Sequence, residues 1–305
     1  MAQLPLNSIH CIDALAGLHL LKDESVDLFI ADPPYWKVIG EKWDYQWRTE
    51  HEYILWCHEW LNQLNRALRL GGTFYLFGYF RTLAKLVSYC ENLGLELRQQ
   101  IILDKGMRSV SGRATKNYKL FPNVTESILF FTKDPKPFIR KLLKEQQKKL
   151  GLSSKEINER LGVKSNGGGM WSIYTGKNIC EQVPTKELWE KLQNALEFEY
   201  NYDLITQTFN PIMGLTDVWT DINFYSEERY HPTQKPLKLI SRLIKASSNE
   251  NDLVVDPFIG AGSTALSAIE LKRKYIGFDI SPAYIEIVKK RIKDQKANLS
   301  LPLFG

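Results

Sequence analysis

A glycine-rich turn close to the carboxyl end of the chain constrains the fold more than any other feature. It reads Asp256-Pro257-Phe258-Ile259-Gly260-Ala261-Gly262-Ser263-Thr264 and follows the apolar run Leu253–Val255. A helical pattern, Thr264–Leu271, comes next, and then a second apolar run, Tyr275–Phe278, which ends at Asp279. Gly260 and Gly262 let a ligand approach the backbone closely. An acid at the end of the second strand of a strand–helix–strand unit receives ribose hydroxyls. The unit therefore reads as a nucleoside-cofactor site. By spacing alone, Gly260, Gly262 and Ala265 also satisfy the dinucleotide pattern GxGxxA. Only 26 residues follow Asp279, too few for the remaining strands of an ordinary dehydrogenase. A complete sheet must then draw its other strands from earlier in the chain, in a circularly permuted order.

Earlier segments supply them. Val26–Ala31, Thr73–Phe77, Leu97–Leu103 and Glu126–Thr132 are candidate strands. Helical patterns run over about 52–68, which Gly71-Gly72 is expected to end, and over about 83–93, which stops at Gly94. Leu237–Ser247 has helical periodicity, and Ser281-Pro282 caps a last helix. This alternation predicts an α/β fold with an open, mostly parallel sheet covered on both faces. At 305 residues, 44% hydrophobic and 25% charged, the chain can bury a full core without staples. No run reaches the roughly 18–20 apolar residues of a membrane span. Asp13 and His19 interrupt the apolar start, which argues against a signal peptide. The four cysteines form no CxxC pair, and no histidine spacing matches a metal motif, so no metal site is expected. These features point to a reducing, cytoplasmic compartment.

The sharpest chemical signal is Asp32-Pro33-Pro34-Tyr35, directly after the apolar run Val26–Ala31. The carboxyl end of a parallel strand is where open α/β sheets bind ligands. The prolines Pro33 and Pro34 stiffen the turn and remove two backbone donors, leaving carbonyls to accept. An acid, a carbonyl and an aromatic ring suit the holding of an exocyclic amino group. Asp32 and the Pro33 carbonyl would accept its two N–H bonds, and Tyr35 would stack on the base.

Charge is unevenly placed. The whole chain carries +5, but residues 98–164 carry +10, so the remainder carries −5. A basic middle on an acidic remainder suggests a polyanion partner. Within it, Arg108, Arg113 and Lys116 lie between two candidate strands, in a stretch rich in glycine and serine.

Asp-Pro-Pro-Tyr early and Asp-Pro-Phe-x-Gly-x-Gly late resemble the permuted (β-group) DNA amino-methyltransferases. His231-Pro232-Thr233-Gln234-Lys235-Pro236 looks like that family's cofactor-flanking motif, Cys11–Leu15 is similar to its N-terminal segment, and Thr125–Phe131 to a later strand motif. The resemblance covers about 5–135 and 215–295. It implies a Rossmann-like, circularly permuted methyltransferase sheet with S-adenosyl-L-methionine as cofactor. It implies that Asp32, Pro33, Pro34 and Tyr35 are catalytic. It places Asp13, His231, Thr233, Lys235, Asp256, Phe258, Gly260, Gly262, Ser263 and Asp279 around the cofactor. Double-stranded DNA is the implied partner; a homodimer and a cognate restriction endonuclease are further candidates. The expected target is adenine N6, with cytosine N4 as the alternative because the family more often has serine at the Asp32 position there.

Residues 136–200 break the strand–helix pattern and read as a small helical insert between catalytic segments 1–135 and 201–305. Ser153–Glu156 is a capping box, and Pro184-Thr185 opens a helix through about Leu196. Its sequence partly resembles a repressor-type helix-turn-helix, interrupted by Gly167-Gly168-Gly169. Lys164 and Lys177 are its candidate DNA contacts, with Arg108, Arg113 and Lys116 outside it. Rival readings are an RNA methyltransferase, a non-catalytic DNA-binding regulator built on the insert, and a nicotinamide dehydrogenase. The position of the glycine turn disfavours the last.

Overall fold

The computed structural model describes residues 4–36, 46–106, 109, 119, 121–163, 169–176, 182–231 and 233–300. Arg108, Arg113, Lys116, Lys164 and Lys177 lie outside the described residues. In chain order the strands are β1 (Ser8–Cys11), β2 (Val26–Ala31), β3 (Leu68–Gly78), β4 (Leu95–Asp104), β5 (Thr125–Lys133), β6 (Val218–Trp219), β7 (Leu253–Asp256) and β8 (Lys274–Asp279). The helices are α1 (Ala14–His19), α2 (Glu50–Ala67), α3 (Phe80–Asn92), α4 (Lys136–Leu150), α5 (Ser154–Arg160), α6 (Gly169–Tyr174), α7 (Lys186–Leu196), α8 (Leu237–Ser247), α9 (Ser263–Glu270) and α10 (Pro282–Ser300). Residues 1–133 and 208–305 form one unit, and residues 134–207 form another.

The first unit holds an eight-stranded sheet in the order β1-β8-β7-β2-β3-β5-β4-β6. The late strands β7 and β8 therefore lie between β1 and β2, as a permuted order requires. All pairs are parallel except those made by β5 with β3 and β4. Successive residues on each strand enter opposite cores, because the side-chain period of a strand is two. Phe29, Phe74, Leu76, Phe131 and Phe278 pack with Trp60 and Leu64 of α2 and Leu83 and Leu86 of α3. Leu28, Ile30, Tyr75, Phe130 and Tyr275 pack with Leu239 and Leu243 of α8, Ala265 of α9, and Val288 of α10. Both faces are apolar, so the strands read as unbroken apolar runs.

The layers decide where a ligand goes. After β2 the chain crosses through α2 on one face; after β7 it crosses through α9 on the other. β2 and β7 are neighbours, paired at Leu28 with Val254 and Phe29 with Val255. Connections that depart to opposite faces open a crevice at the carboxyl ends of the two strands. Asp32 and Asp256 stand at that edge.

The glycine pair at 71–72 corrects the sequence reading. It does not end α2, which stops at Ala67 with Leu68 already extended. Gly71, at φ +67°, lies inside β3 where the β2 register jumps from Leu68 to Thr73. A Cβ on Gly72 would meet Leu68 Cδ1 at 2.6 Å. The two glycines thus form a bulge packed on the strand start, a local alternative to a helix stop.

Gly262 carries a different constraint. It caps α9 at φ +85°, and a Cβ there would lie 2.7 Å from Val288 Cγ1 on α10. Gly262→Ala is expected to cost about 1–3 kcal/mol of stability through backbone strain and overpacking. Chemical denaturation checks it; an unchanged midpoint and slope would remove the constraint.

The second unit is helical. Ser153 and Glu156 form the reciprocal cap of α5, and Thr185 caps α7 by accepting from the Leu188 amide. Trp189 and Trp171 are buried within this unit. The buried Asn158 side chain accepts from the Trp171 amide at 3.1 Å and so caps the start of α6. A Cβ on Gly169 would fall 2.3 Å from that same side chain. The last of the three glycines is therefore a packing requirement at the helix start.

Candidate active site

Asp32 leaves β2 into a cavity of about 570 Å³ at the carboxyl edge of the sheet. That size suits a small-molecule ligand. Asp32, Pro33, Pro34, Tyr35, Asp13, His231, Thr233, Lys235, Asp256, Phe258, Gly260, Ser263 and Asp279 all line it. Gly262 does not; it faces Val288.

At the Asp32 end, four more groups converge. Lys235 Nζ lies 2.8 Å from Asp32 Oδ2 and 2.9 Å from Glu126 Oε1. The Tyr35 hydroxyl lies 2.7 Å from both Asp32 Oδ1 and Glu126 Oε1. Lys105 Nζ reaches Glu126 Oε2 at 3.2 Å. Lys235 and Glu126 are buried, at 8% and 4% exposure. Burial pushes the Asp32 carboxyl above its usual range, against the pull of Lys235. Burial also opposes the Glu126 charge, but Lys235 and Lys105 outweigh it and hold that carboxyl at about 2. Burial works against the Lys235 ammonium too, yet Asp32 and Glu126 raise it above the ordinary lysine value.

Three elements deliver this cluster. Lys235 sits in the segment before α8, whose turns are laced by its own side chains. Gln234 Oε1 accepts from the Tyr230 amide at 3.0 Å, and Glu227 accepts from the Leu237 amide at 2.8 Å. Ser263 Oγ donates to the Lys235 carbonyl at 2.7 Å and ties the segment to the glycine turn. Glu126 arrives because β5 runs antiparallel beside β3, with Ser127 opposite Gly78. Lys105 follows β4. The ammonium of Lys235 thus faces Asp32, while His231, Thr233 and Gln234 of its segment line the same cavity. The Tyr35 hydroxyl is engaged by carboxylates, and its ring meets the edge of Tyr79 at 5.2 Å.

At the other end, Asp279 Oδ2 accepts from the Gly260 amide at 3.1 Å and Oδ1 from the Ser281 amide at 2.8 Å. Each oxygen keeps a lone pair for a ligand hydroxyl. Gly260 is at φ +49°, and the nearest atom to an added Cβ is 3.8 Å away, so a ligand can lie against the backbone there. Asp256 accepts from the Phe258 amide at 2.9 Å and Thr264 Oγ1 at 2.5 Å, which pins the turn to α9. Burial raises its carboxyl to about 7 despite those bonds. Asp13 caps α1 through the Leu15 amide at 2.9 Å. His231 Nδ1 accepts from the Thr233 amide at 3.1 Å, and its ring meets Tyr284 edge-on at 4.4 Å. Burial lowers the His231 ring to about 4, with Lys235 and Arg229 adding to the shift. Trp56, which packs on Phe258 at 5.8 Å, also lines the cavity and went unread in the sequence. Among the described residues, no cluster of His, Cys, Asp or Glu could hold a metal ion, and no helix is long and apolar enough to cross a membrane.

A family model described as a DNA methylase, the N6/N4 class, matches residues 26–290. The chain belongs to that family. This methylase is 27% identical to the Type II methyltransferase M.HpaI of Haemophilus parainfluenzae, over 93% of this chain and 74% of that one. It is 28% identical to the DNA adenine methyltransferase YhdJ of Escherichia coli, over 92% of this chain and 80% of that one. Its fold is similar to that of TTHA0409 of Thermus thermophilus, solved with S-adenosyl-L-methionine, with TM-score 0.55, 20% identity, and coverage of 94% and 95%. It is also similar to the cytosine-N4-specific PvuII DNA methyltransferase, with TM-score 0.57, 16% identity, and coverage of 97% and 93%. The methylase sheet is the α/β, Rossmann-like, permuted sheet expected from its sequence.

Proposed function

We propose that this methylase transfers a methyl group from S-adenosyl-L-methionine to the exocyclic amino nitrogen of a flipped base in double-stranded DNA, adenine N6. The observation that carries it is Asp32, held at the crevice edge in one cavity with the glycine turn and Asp279. The cavity chemistry fits the cofactor. With Lys235 offset by Asp32, Asp13 and Asp279 leave the lining negative even when Asp256 is neutral, and such a lining favours a cationic ligand over a pyrophosphate. That weighs against the nicotinamide alternative.

Asp279 and Asp13 are suited to the nucleoside hydroxyls and adenine, and Phe258 and Tyr284 to its apolar surface. When bound, the cofactor supplies an electrophilic methyl carbon on a positively charged sulfur. The protein's share is positioning. Asp32 and the Pro33 carbonyl accept from the amino group, which favours a tetrahedral nitrogen and frees its lone pair to form the N–CH₃ bond. The C–S electron pair departs with sulfur. Orientation and preorganised charge account for the rate. A base inside the helix is out of reach, so it must leave the stack.

Cytosine N4 offers the same kind of amine and is the second reading; the PvuII enzyme, whose fold this methylase shares, is cytosine-N4-specific. The Type II relative supports a place in a restriction–modification pair. The helical unit is assigned DNA target recognition on its basic composition and partial helix-turn-helix pattern. The deciding experiment is expression in a methylation-free host, followed by chromatography of DNA nucleosides. N6-methyladenine is expected; N4-methylcytosine alone would establish the second reading, and neither base would defeat both.

Asp279→Ala is expected to weaken the cofactor chiefly. A lost charged hydrogen bond to ribose is worth about 1.5–3 kcal/mol, roughly tenfold to a hundredfold in Kd. Calorimetry with S-adenosylhomocysteine checks it; an unchanged Kd would remove Asp279 from the ribose.

A further inference from the structure

We propose that Lys235 and Glu126 are positioning residues for Asp32: the Lys235 ammonium, bracketed between two carboxylates, sets the ionisation and orientation of the group that receives the target amine. This rests on the methyl-transfer reading above and assigns a role to two residues that do not touch the reacting atoms.

The proton count around Tyr35 carries the inference. Lys235 gives one N–H to Asp32 Oδ2 and another to Glu126 Oε1. Tyr35 has one hydroxyl proton but sits 2.7 Å from an oxygen of each carboxylate. It satisfies only one of them at a time. With both acids ionised, one of the two close O···O contacts lacks a proton. Adding a proton to Asp32 completes the set: Asp32 then donates to Tyr35, and Tyr35 donates to Glu126. Glu126 is the wrong place for that proton, because Lys235 and Lys105 both pair with it. The charged and titratable groups facing Asp32 are thus Lys235, Glu126 and Tyr35, with Asp256 at the end of the adjacent strand β7.

The arrangement serves both ends of the reaction. Before transfer, the Lys235 ammonium keeps Asp32 a carboxylate that can accept from the amine. After the N–CH₃ bond forms, an N–H bond breaks, its electron pair returns to nitrogen, and the proton passes to Asp32. The Tyr35–Glu126 pair then receives the new O–H. Removing Lys235 should raise the Asp32 carboxyl further and favour its neutral form, a weaker acceptor for the amine.

Two isosteric changes separate this from a packing role. An opposite charge within a few ångströms lowers an aspartate by about 1–3 pH units, so in Lys235→Gln the acid limb of kcat should move up by that much. In Glu126→Gln a negative neighbour is lost and Lys235 serves Asp32 alone, so the limb should move down. A packing defect would lower kcat in both without opposite displacements. The second readout needs neither DNA nor cofactor: ¹³C NMR titration of carboxyl-labelled aspartate, with the Asp32 signal assigned by its loss in Asp32→Asn. In the wild-type protein Asp32 should titrate above the ordinary aspartate range, higher still in Lys235→Gln and lower in Glu126→Gln. Should Lys235→Gln fail to fold, the wild-type and Glu126→Gln titrations still decide. Displacements in the same direction, or none, overturn the positioning role while leaving the methyl-transfer reading intact. Full turnover by Asp32→Asn would instead defeat that reading.

Discussion

Asp32→Ala is expected to lower methyl transfer by roughly 10²–10⁴-fold, the range seen when a positioned acceptor or proton-handling group is removed. Binding of S-adenosylhomocysteine should stay within about tenfold, a change of no more than about 1.4 kcal/mol. The two readouts separate because the contacts that hold Asp279 do not pass through the Asp32 side chain; Ser263 joins the glycine turn to the Lys235 backbone, which Asp32→Ala leaves in place. Asp279 is fixed by the Gly260 and Ser281 amides, and neither contact involves Asp32. The glycine turn is pinned by Asp256 through Phe258 and Thr264. Asp32 in turn is held by Lys235 and Tyr35. Alanine leaves the buried Lys235 ammonium with Glu126 as its remaining carboxylate, so some loss of stability is also expected. Asp32→Asn retains the shape and one acceptor oxygen and should fold better, while remaining strongly impaired. Single-turnover methylation of duplex DNA, beside calorimetry on the same samples, checks the separation. Near-normal turnover in Asp32→Ala would take Asp32 out of the reaction. Parallel losses of turnover and cofactor affinity would show that the two ends of the cavity form one structural unit.

The half of the site that local sequence could show is the half built within single turns. Asp32 follows an apolar run that becomes β2 with the same bounds, and Asp279 ends β8. Both positions follow from strand ends in an open α/β sheet. The second carboxylate was not legible in this way. Glu126 is 91 residues from Tyr35, and only the antiparallel insertion of β5 between β3 and β4 brings it there. Periodicity identifies β5 as a strand but says nothing of its neighbours. Lys235 shows the same limit. Its segment resembles a cofactor motif, yet its ammonium turns to the acids. Two strands also escaped notice. β1 has four residues, none fully buried, and β6 has two, so neither offers a run long enough to show a period. The glycine pair at 71–72 misled because glycine marks both helix stops and bulges. What separates them is the extended conformation of Leu68, which composition does not encode.

Excision of the helical unit, about residues 136–205, should leave a protein that unfolds cooperatively and binds S-adenosylhomocysteine. The first unit keeps its whole sheet and both apolar cores without it. The segments flanking the ends to be joined both contact the start of β3. Lys133 Nζ donates to the Leu68 carbonyl at 2.8 Å, and Arg69, the next residue, reaches Thr208 Oγ1 at 3.4 Å. A glycine-serine linker of about eight residues, which spans roughly 15 Å on average and roughly 27 Å when extended, makes the join. DNA binding should change far more than cofactor binding. Specific complexes are typically about 10³–10⁷ tighter than non-specific ones, so loss of a target-recognition unit should cost at least about a thousandfold for the cognate site. The residual binding should be weak and fall steeply with salt, as phosphate contacts alone dictate. Competition between cognate and scrambled duplexes at several salt concentrations reads both effects. If the excised protein still prefers the cognate duplex, target recognition belongs to the sheet-bearing unit and its loops. If it loses cooperative unfolding, the helices of residues 134–207 contribute to the stability of the sheet as well.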